Sequence, residues 1–105
     1  MFSTPRVNFI ESDEGFSVEG LGRTGLRYSE RGKTMRVSSE LLAASSPRLL
    51  VIYADSIRNW DPPYSAEVVD EKTKNRIIDN IRAAFRSQGQ EIDVIDPSVK
   101  FGPYR

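Results

Sequence analysis

The sequence predicts an α+β fold, in which a mostly antiparallel sheet of about five to six strands is packed by one long C-terminal helix. Three observations predict this class. The first part of the chain alternates apolar and polar residues between glycine-containing turns, a short apolar run follows at residues 49–53, and apolar residues recur with helical spacing between residues 70 and 89. The length of 105 residues predicts a single domain over residues 1–105, with residues 97–105 as a tail.

Two hairpins account for the first strands. Residues 6–21 alternate on both sides of a turn that ends at Gly15, and glycine readily adopts the positive φ that a short hairpin loop often needs. Residues 26–37 form the second hairpin, with its turn at Arg31 and Gly32. The Gly-x-Gly-x-x-Gly sequence between the hairpins has the spacing of a dinucleotide-binding loop. Because another strand follows it instead of a helix, we interpret it as a connection only.

The chain then leads into the interior of the sheet. Residues 38–46 leave two alternatives open, a short serine-capped helix or a continuation of the preceding strand. Residues 48–54 follow Pro47 and contain the run at residues 49–53, which is rich in aliphatic and β-branched side chains and apolar on both faces. This pattern is typical of a strand that is covered on both sides. We therefore place the segment in the middle of the sheet.

The clearest helical pattern lies near the C-terminus. Asp70 is a suitable N-cap, Glu71 places an acid in the first turn, and Gly89 fits the position just after the helix ends. Five apolar residues at helical spacing form one stripe: Ile77, Ile78, Ile81, Ala84 and Phe85. Residues 91–95 then alternate as a final strand.

Composition excludes several classes of function. The absence of cysteine and histidine excludes disulfides, Cys/His metal sites and Ser-His-Asp or Cys-His catalysis. Turn and cap roles account for the Asp13-Glu14 and Asp70-Glu71 pairs, and nothing in the sequence brings two other carboxylates together, so we expect no catalytic residue, no metal and no cofactor. Fifteen basic and fifteen acidic side chains cancel, whereas nucleic-acid-binding proteins usually carry a basic excess. We therefore expect no nucleic-acid partner, with one alternative left open, binding through Arg23, Arg27, Arg31, Lys33 and Arg36.

The chain carries no pattern for export or membrane insertion. Its first ten residues lack the charged start and apolar stretch of a signal peptide. The longest apolar run, residues 49–54, is far shorter than the ~20 residues that span a bilayer. We expect a cytoplasmic protein that does not enter the membrane, and the oligomeric state is left open.

The segment before the helix has the most unusual composition. Residues 53–64 hold the only tryptophan, two of the four tyrosines, two acids and a proline pair, for which we expect extended, polyproline-like backbone. Aromatic residues and arginine on a stiff loop are typical of binding anchors. Trp60 also suits a core position beside Ile57, and we expect it to be mostly buried, with Asp61 and Tyr64 facing a partner. The candidate partner-binding residues are Asp55, Arg58, Trp60, Asp61 and Tyr64.

Two motifs in this region resemble a known family. They are the Ser-Ile-x-x-Trp-x-x-Pro block at residues 56–63 and the Ile-Ile-x-Asn-Ile helix at residues 77–81. Together with the strands around them, over residues 26–95, they resemble the immunity protein 74 family of bacterial polymorphic toxin systems. The resemblance implies an α+β cytoplasmic protein that binds and neutralises a toxin domain and has no catalytic residues of its own. It does not imply which toxin is bound.

Two functions are therefore carried forward. The first is a non-catalytic binding protein, an immunity protein that neutralises a bacterial toxin domain by direct binding. Residues 37–70 have a net charge of −3, which suits a basic partner. The alternative is a small ligand-binding domain or an enzyme of unknown chemistry, with its site between the sheet and the helix.

Overall fold

The computed structural model describes residues 1–22, 24–42 and 50–96. The tail expected at residues 97–105 lies outside this range. The described residues form seven strands, a 3-10 turn at Ala54–Ser56 and one α-helix, α1, at Glu71–Arg86. The strands are β1 (Phe2–Arg6), β2 (Phe9–Ser12), β3 (Phe16–Gly20), β4 (Gly25–Glu30), β5 (Lys33–Leu41), β6 (Leu50–Tyr53) and β7 (Ile92–Ile95).

All seven strands form one sheet in chain order, β1 to β7. Neighbours from β1 to β6 are antiparallel, and β6 pairs with β7 in parallel. A parallel pair needs a long crossover connection, which α1 and the loop before it supply. The predicted α+β class with a mostly antiparallel sheet is confirmed. The aliphatic strand β6 lies between β5 and β7, as its pattern predicts.

The strand count is higher than predicted because β1 was missed. The expected first strand contains instead a turn at Val7 and Asn8, and Asn8 has a φ of 62°. Asparagine tolerates this left-handed conformation better than most residues, which lets the chain reverse there. The Phe-Ser-Thr-Pro-Arg sequence of β1 has no apolar alternation to reveal it as a strand.

Two other expectations for the strands are resolved in the structure. The ambiguous region after residue 37 continues as β5 as far as Leu41, while residues 43–46 lie outside the described residues. The glycine-rich sequence ends β3 and begins β4, with Gly22 at a φ of 104°. The Leu21 N–H donates to the Gly25 carbonyl at 2.9 Å, so this sequence is a strand connection, as predicted.

The core lies between α1 and one face of the sheet, which we call the inner face. Every residue of the predicted apolar stripe of α1 is buried. The stripe packs on the inner-face side chains, among them Ile10, Val18, Leu26, Tyr28, Met35, Val37 and Ile52. The opposite, outer face of β2 to β5 carries mostly polar residues, which is the usual pattern for an antiparallel sheet that faces water on one side.

Both ends of α1 are capped as the sequence predicts. The Thr73 N–H donates to the Asp70 carboxylate at 2.8 Å, and this bond holds the pKa of Asp70 below its usual value. At the other end Gly89 has a φ of 75°, and the Gln90 N–H donates to the Phe85 carbonyl at 3.0 Å. In the residues described, no helix is both long and apolar enough to traverse a membrane.

Candidate partner-binding surface

The loop between β6 and α1, residues 54–70, runs along the open edge of β5. In the described part of the chain β6 pairs with the last three residues of β5, so the first part of β5 needs other hydrogen-bond partners. The Ser38 N–H donates to the Ser56 hydroxyl at 2.9 Å, and the Asp61 N–H donates to the Thr34 carbonyl at 2.8 Å. The Thr34 hydroxyl also donates to the Asp61 carboxylate at 2.8 Å. The loop is therefore attached along the sheet edge.

Trp60 anchors this loop to the core. Its side chain is 3% exposed and lies 6.4 Å from Tyr28 between ring centroids. Ile57, three residues earlier in the loop, is 2% exposed. The expected burial of Trp60 is confirmed. Because its side chain is packed in the core, Trp60 holds the loop against the protein and offers almost no surface of its own to a partner.

A cluster of polar side chains holds Tyr28, whose ring packs beside Trp60, in place. The Tyr28 hydroxyl donates to Glu30 at 2.7 Å and accepts from the Asn80 amide at 2.8 Å. Arg76 forms an ion pair with the same Glu30 carboxylate. Burial raises the pKa of the Tyr28 hydroxyl above its usual value, so the hydroxyl keeps its proton and remains a hydrogen-bond donor. These bonds join β4 to α1 directly beneath the loop.

The other four candidate residues are exposed and follow one another along β5. We call them the loop strip: Asp55, Arg58, Asp61 and Tyr64. Asp55 and Arg58 line a shallow hollow with Ser38 and Tyr53, and Asp61 is bonded to Thr34 further along. Tyr64, 40% exposed, follows at the end where β5 begins. The fold thus places these four residues in order along one edge of the sheet.

The proline pair does not form the extended backbone that its composition predicts. The peptide between Pro62 and Pro63 is cis, and the Tyr64 N–H donates to the Asp61 carbonyl at 3.0 Å, which closes a turn. A second turn follows, in which the Glu67 N–H donates to the Tyr64 carbonyl at 3.0 Å. Prolines in the middle of a turn have no N–H to leave unsatisfied, so the turn loses nothing by containing them.

Lys33 belongs to this surface and was missed as a contact of the loop. Its ammonium lies 5.6 Å from the centroid of the Trp60 ring and 5.7 Å from that of Tyr64. It also forms an ion pair with Glu67, on the same loop. Lys33 precedes these residues by about thirty positions in the chain, so no local pattern could have grouped them; only the strand pairing does.

The basic residues considered for nucleic-acid binding are divided between different places. Arg27 and Arg36 are register partners on the outer face, where Arg27 pairs with Glu19 at 3.4 Å. Lys33 lies against the aromatic rings of the loop. Arg31 is in the turn between β4 and β5, and Arg23 lies outside the described residues.

A cleft of about 920 Å³ lies between the inner face and the C-terminal end of α1. Its walls are mainly apolar and include Ile10, Leu26 and Leu50 from the sheet and Phe85 from α1. The described side chains that line it include no acid, no base and no tyrosine. Nor do the described residues contain a group of three or more acidic side chains arranged to hold a metal ion.

Comparison of the sequence with known protein families gives a match. The family described as Immunity protein 74 matches residues 17–95, which is well over half of the chain. The match extends from β3 to β7 and therefore includes the whole β6–α1 loop and α1. No curated protein and no solved structure matched the chain. Because the family match covers most of its length, this chain belongs to the Immunity protein 74 family.

Proposed function

We propose that this chain neutralises a toxin domain by binding it directly, without catalytic residues of its own, and that the loop strip makes the contact. Membership of an immunity protein family is the observation that carries the proposal. The matched range contains all four residues of the strip and the tryptophan that anchors them. The partner is then a protein, and inhibition follows from covering its active surface.

The construction of the loop supports a binding role. Hydrogen bonds to β5 and the buried Trp60 hold the loop in one shape, so little conformational entropy is lost when a partner binds. Tyr64 and Arg58 are exposed residues of the types that most often dominate binding energy at protein interfaces. The carboxylates of Asp55 and Asp61 add charge that speeds encounter with a basic partner.

The test is neutralisation of a toxin domain encoded next to this gene. We expect cells that express the C-terminal domain of the neighbouring reading frame to survive only when this chain is co-expressed. With the purified pair, Tyr64→Ala or Arg58→Ala should weaken binding by about thirtyfold or more, the effect of losing a dominant interface residue. The matched control is Glu11→Ala, an exposed residue of β2 outside the family match, which should bind like the wild type.

Two results would contradict this proposal. If the chain rescues no cell that expresses the neighbouring domain and binds none of these domains in purified form, toxin neutralisation is wrong. If binding occurs but is weakened by Glu11→Ala and left intact by changes in the loop strip, the function stands and the loop strip is the wrong surface.

The cleft favours a second candidate function, binding of a small ligand between the sheet and α1. Its volume of about 920 Å³ and its apolar walls suit a neutral, mainly apolar molecule. A ligand at 100 times its dissociation constant adds ~2.7 kcal/mol of stability, which a thermal-shift screen detects. Leu41→Arg at the rim of the cleft should abolish the shift, whereas Val68→Arg, an exposed apolar position on the loop, should not. A screen of neutral apolar compounds without any saturable shift would exclude this function.

A further inference from the structure

We propose that Lys33 is the positioning residue of the loop strip: its ammonium, held between the rings of Trp60 and Tyr64, sets the orientation in which Tyr64 meets a partner. The role of Tyr64 in binding rests on the proposed function. The positioning itself is a property of the free protein and is testable without a partner.

The contacts of Lys33 come from three parts of the loop. The ammonium lies 5.6 Å from the Trp60 ring centroid and 5.7 Å from the Tyr64 ring centroid, both within the distance of a cation–π contact. Glu67 adds an ion pair. The Lys33 side chain is 24% exposed, low for a lysine beside a hairpin turn, so most of it is packed against the loop.

The three contacts of Lys33 differ in what they contribute to the position of its ammonium. Trp60 is buried and already fixed by the core, so it gives the ammonium a fixed point. The two turns hold the backbone of Tyr64, which leaves the orientation of its side chain to be decided. Glu67 is half-exposed, and an ion pair in water contributes little alone. The cation between the two rings is therefore what links the exposed side chain of Tyr64 to the fixed ring of Trp60.

This arrangement matters for binding because an aromatic anchor that is already oriented loses less entropy on association. If the Tyr64 side chain is free to occupy several rotamers, a partner binds only the molecules that have the right one. The apparent affinity is then the intrinsic affinity multiplied by the fraction of molecules in that rotamer. Removing the ammonium while keeping the aliphatic stem should therefore weaken binding through Tyr64 and through no other residue of the strip.

The first experiment reads the orientation of Tyr64 in the free protein by fluorine NMR after incorporation of fluorotyrosine. The four tyrosines give four signals, and Tyr64→Phe assigns the relevant one. In Lys33→Met the Tyr64 signal should shift and narrow as the ring gains freedom, while the Tyr53 signal stays in place. Lys33→Arg should restore the wild-type signal, because a guanidinium also binds ring faces. Glu67→Gln should leave the Tyr64 signal close to its wild-type position and width, because the Lys33 ammonium remains.

Arg31→Met is the matched control, since it removes a positive charge from the same hairpin and leaves the loop contacts intact. It should leave the Tyr64 signal unchanged. Far-UV circular dichroism of each variant verifies that the protein is still folded, because Trp60 emission itself responds to the loss of a neighbouring ammonium. An unchanged Tyr64 signal in Lys33→Met, or an equal shift in Arg31→Met, would overturn the positioning role.

The second experiment measures affinity for the toxin domain identified by co-expression. Lys33→Met should weaken binding by about tenfold in the wild-type background and have almost no effect in a Tyr64→Ala background. Equal losses in both backgrounds would show that Lys33 acts independently of Tyr64 and would overturn the inference. If the wild-type chain binds no toxin domain at all, the proposed function fails, and the NMR result alone decides whether Lys33 positions Tyr64.

Discussion

At the scale of single residues, Trp60 separates the scaffold of the loop from its surface. Its ring is buried against Tyr28, whereas Tyr64 four positions later is exposed. We expect Trp60→Ala to lower the free energy of unfolding by about 3–5 kcal/mol, because it leaves a large cavity in the core. Tyr64→Ala should change the same quantity by no more than about 1 kcal/mol, because it removes a surface side chain.

Urea unfolding followed by far-UV circular dichroism measures both variants, since Trp60→Ala removes the only tryptophan as a fluorescent probe. In the wild type the indole should emit to the blue of free tryptophan and resist quenching by iodide. Equal stabilities for Trp60→Ala and Tyr64→Ala, or emission typical of a solvated indole, would show that Trp60 is not part of the core.

At the scale of elements, the N-cap of α1 stabilises the point where the loop ends and the helix begins. The Asp70 carboxylate accepts the Thr73 N–H, which would otherwise lack a partner in the first turn of the helix. Asp70→Ala should lower the melting temperature by roughly 3–8 °C at neutral pH. Asp70→Asn, which also caps helices well, should stay close to the wild type.

The same cap predicts a pH dependence. Its hydrogen bond lowers the pKa of Asp70 in the folded protein, so the folded state binds this proton less readily than the unfolded chain. The stabilisation is therefore complete above the unfolded pKa of about 4 and is lost as pH falls through the lower folded value. Melting temperatures of wild type and Asp70→Ala should converge in acid. A constant difference down to pH ~2 would contradict this assignment.

At the scale of the whole molecule, the first two strands lie outside the family match but are not equivalent. The edge strand β1 packs Phe2 against Phe16, with ring centroids 5.8 Å apart, whereas β2 places Ile10 in the core. Deleting residues 1–6 should lower the free energy of unfolding by about 1–3 kcal/mol and leave a folded protein. Deleting residues 1–15 should abolish cooperative unfolding, because it also removes β2.

Thermal unfolding monitored by Trp60 fluorescence distinguishes these deletions. The full chain and the shorter deletion should both show one cooperative transition. A cooperative transition in the longer deletion, at the temperature of the full chain, would show that the family-matched residues fold without β2.

Local chemistry accounts for the elements that the sequence predicts well. Asp70 and Gly89 delimit α1 because caps depend on side chains and backbone angles within one turn, and the apolar stripe depends only on helical spacing. The missed strand β1 has no such local pattern, and its pairing with β2 is decided by the reversal at Asn8. The proline pair was misjudged because prolines suit both an extended segment and a turn, and here the Tyr64 N–H closes a turn on the Asp61 carbonyl.

The sequence by itself determined the α+β class, the helix with its caps, the interior strand and the family resemblance, because each depends on residues close together in the chain. It also named the four exposed residues of the loop strip by their types. Only the tertiary structure decided that they follow one another along the edge of β5, that Trp60 is buried, and that Lys33 contacts the loop from the start of β5. Such contacts join residues distant in sequence, and strand pairing and packing select them only once the whole sheet has formed.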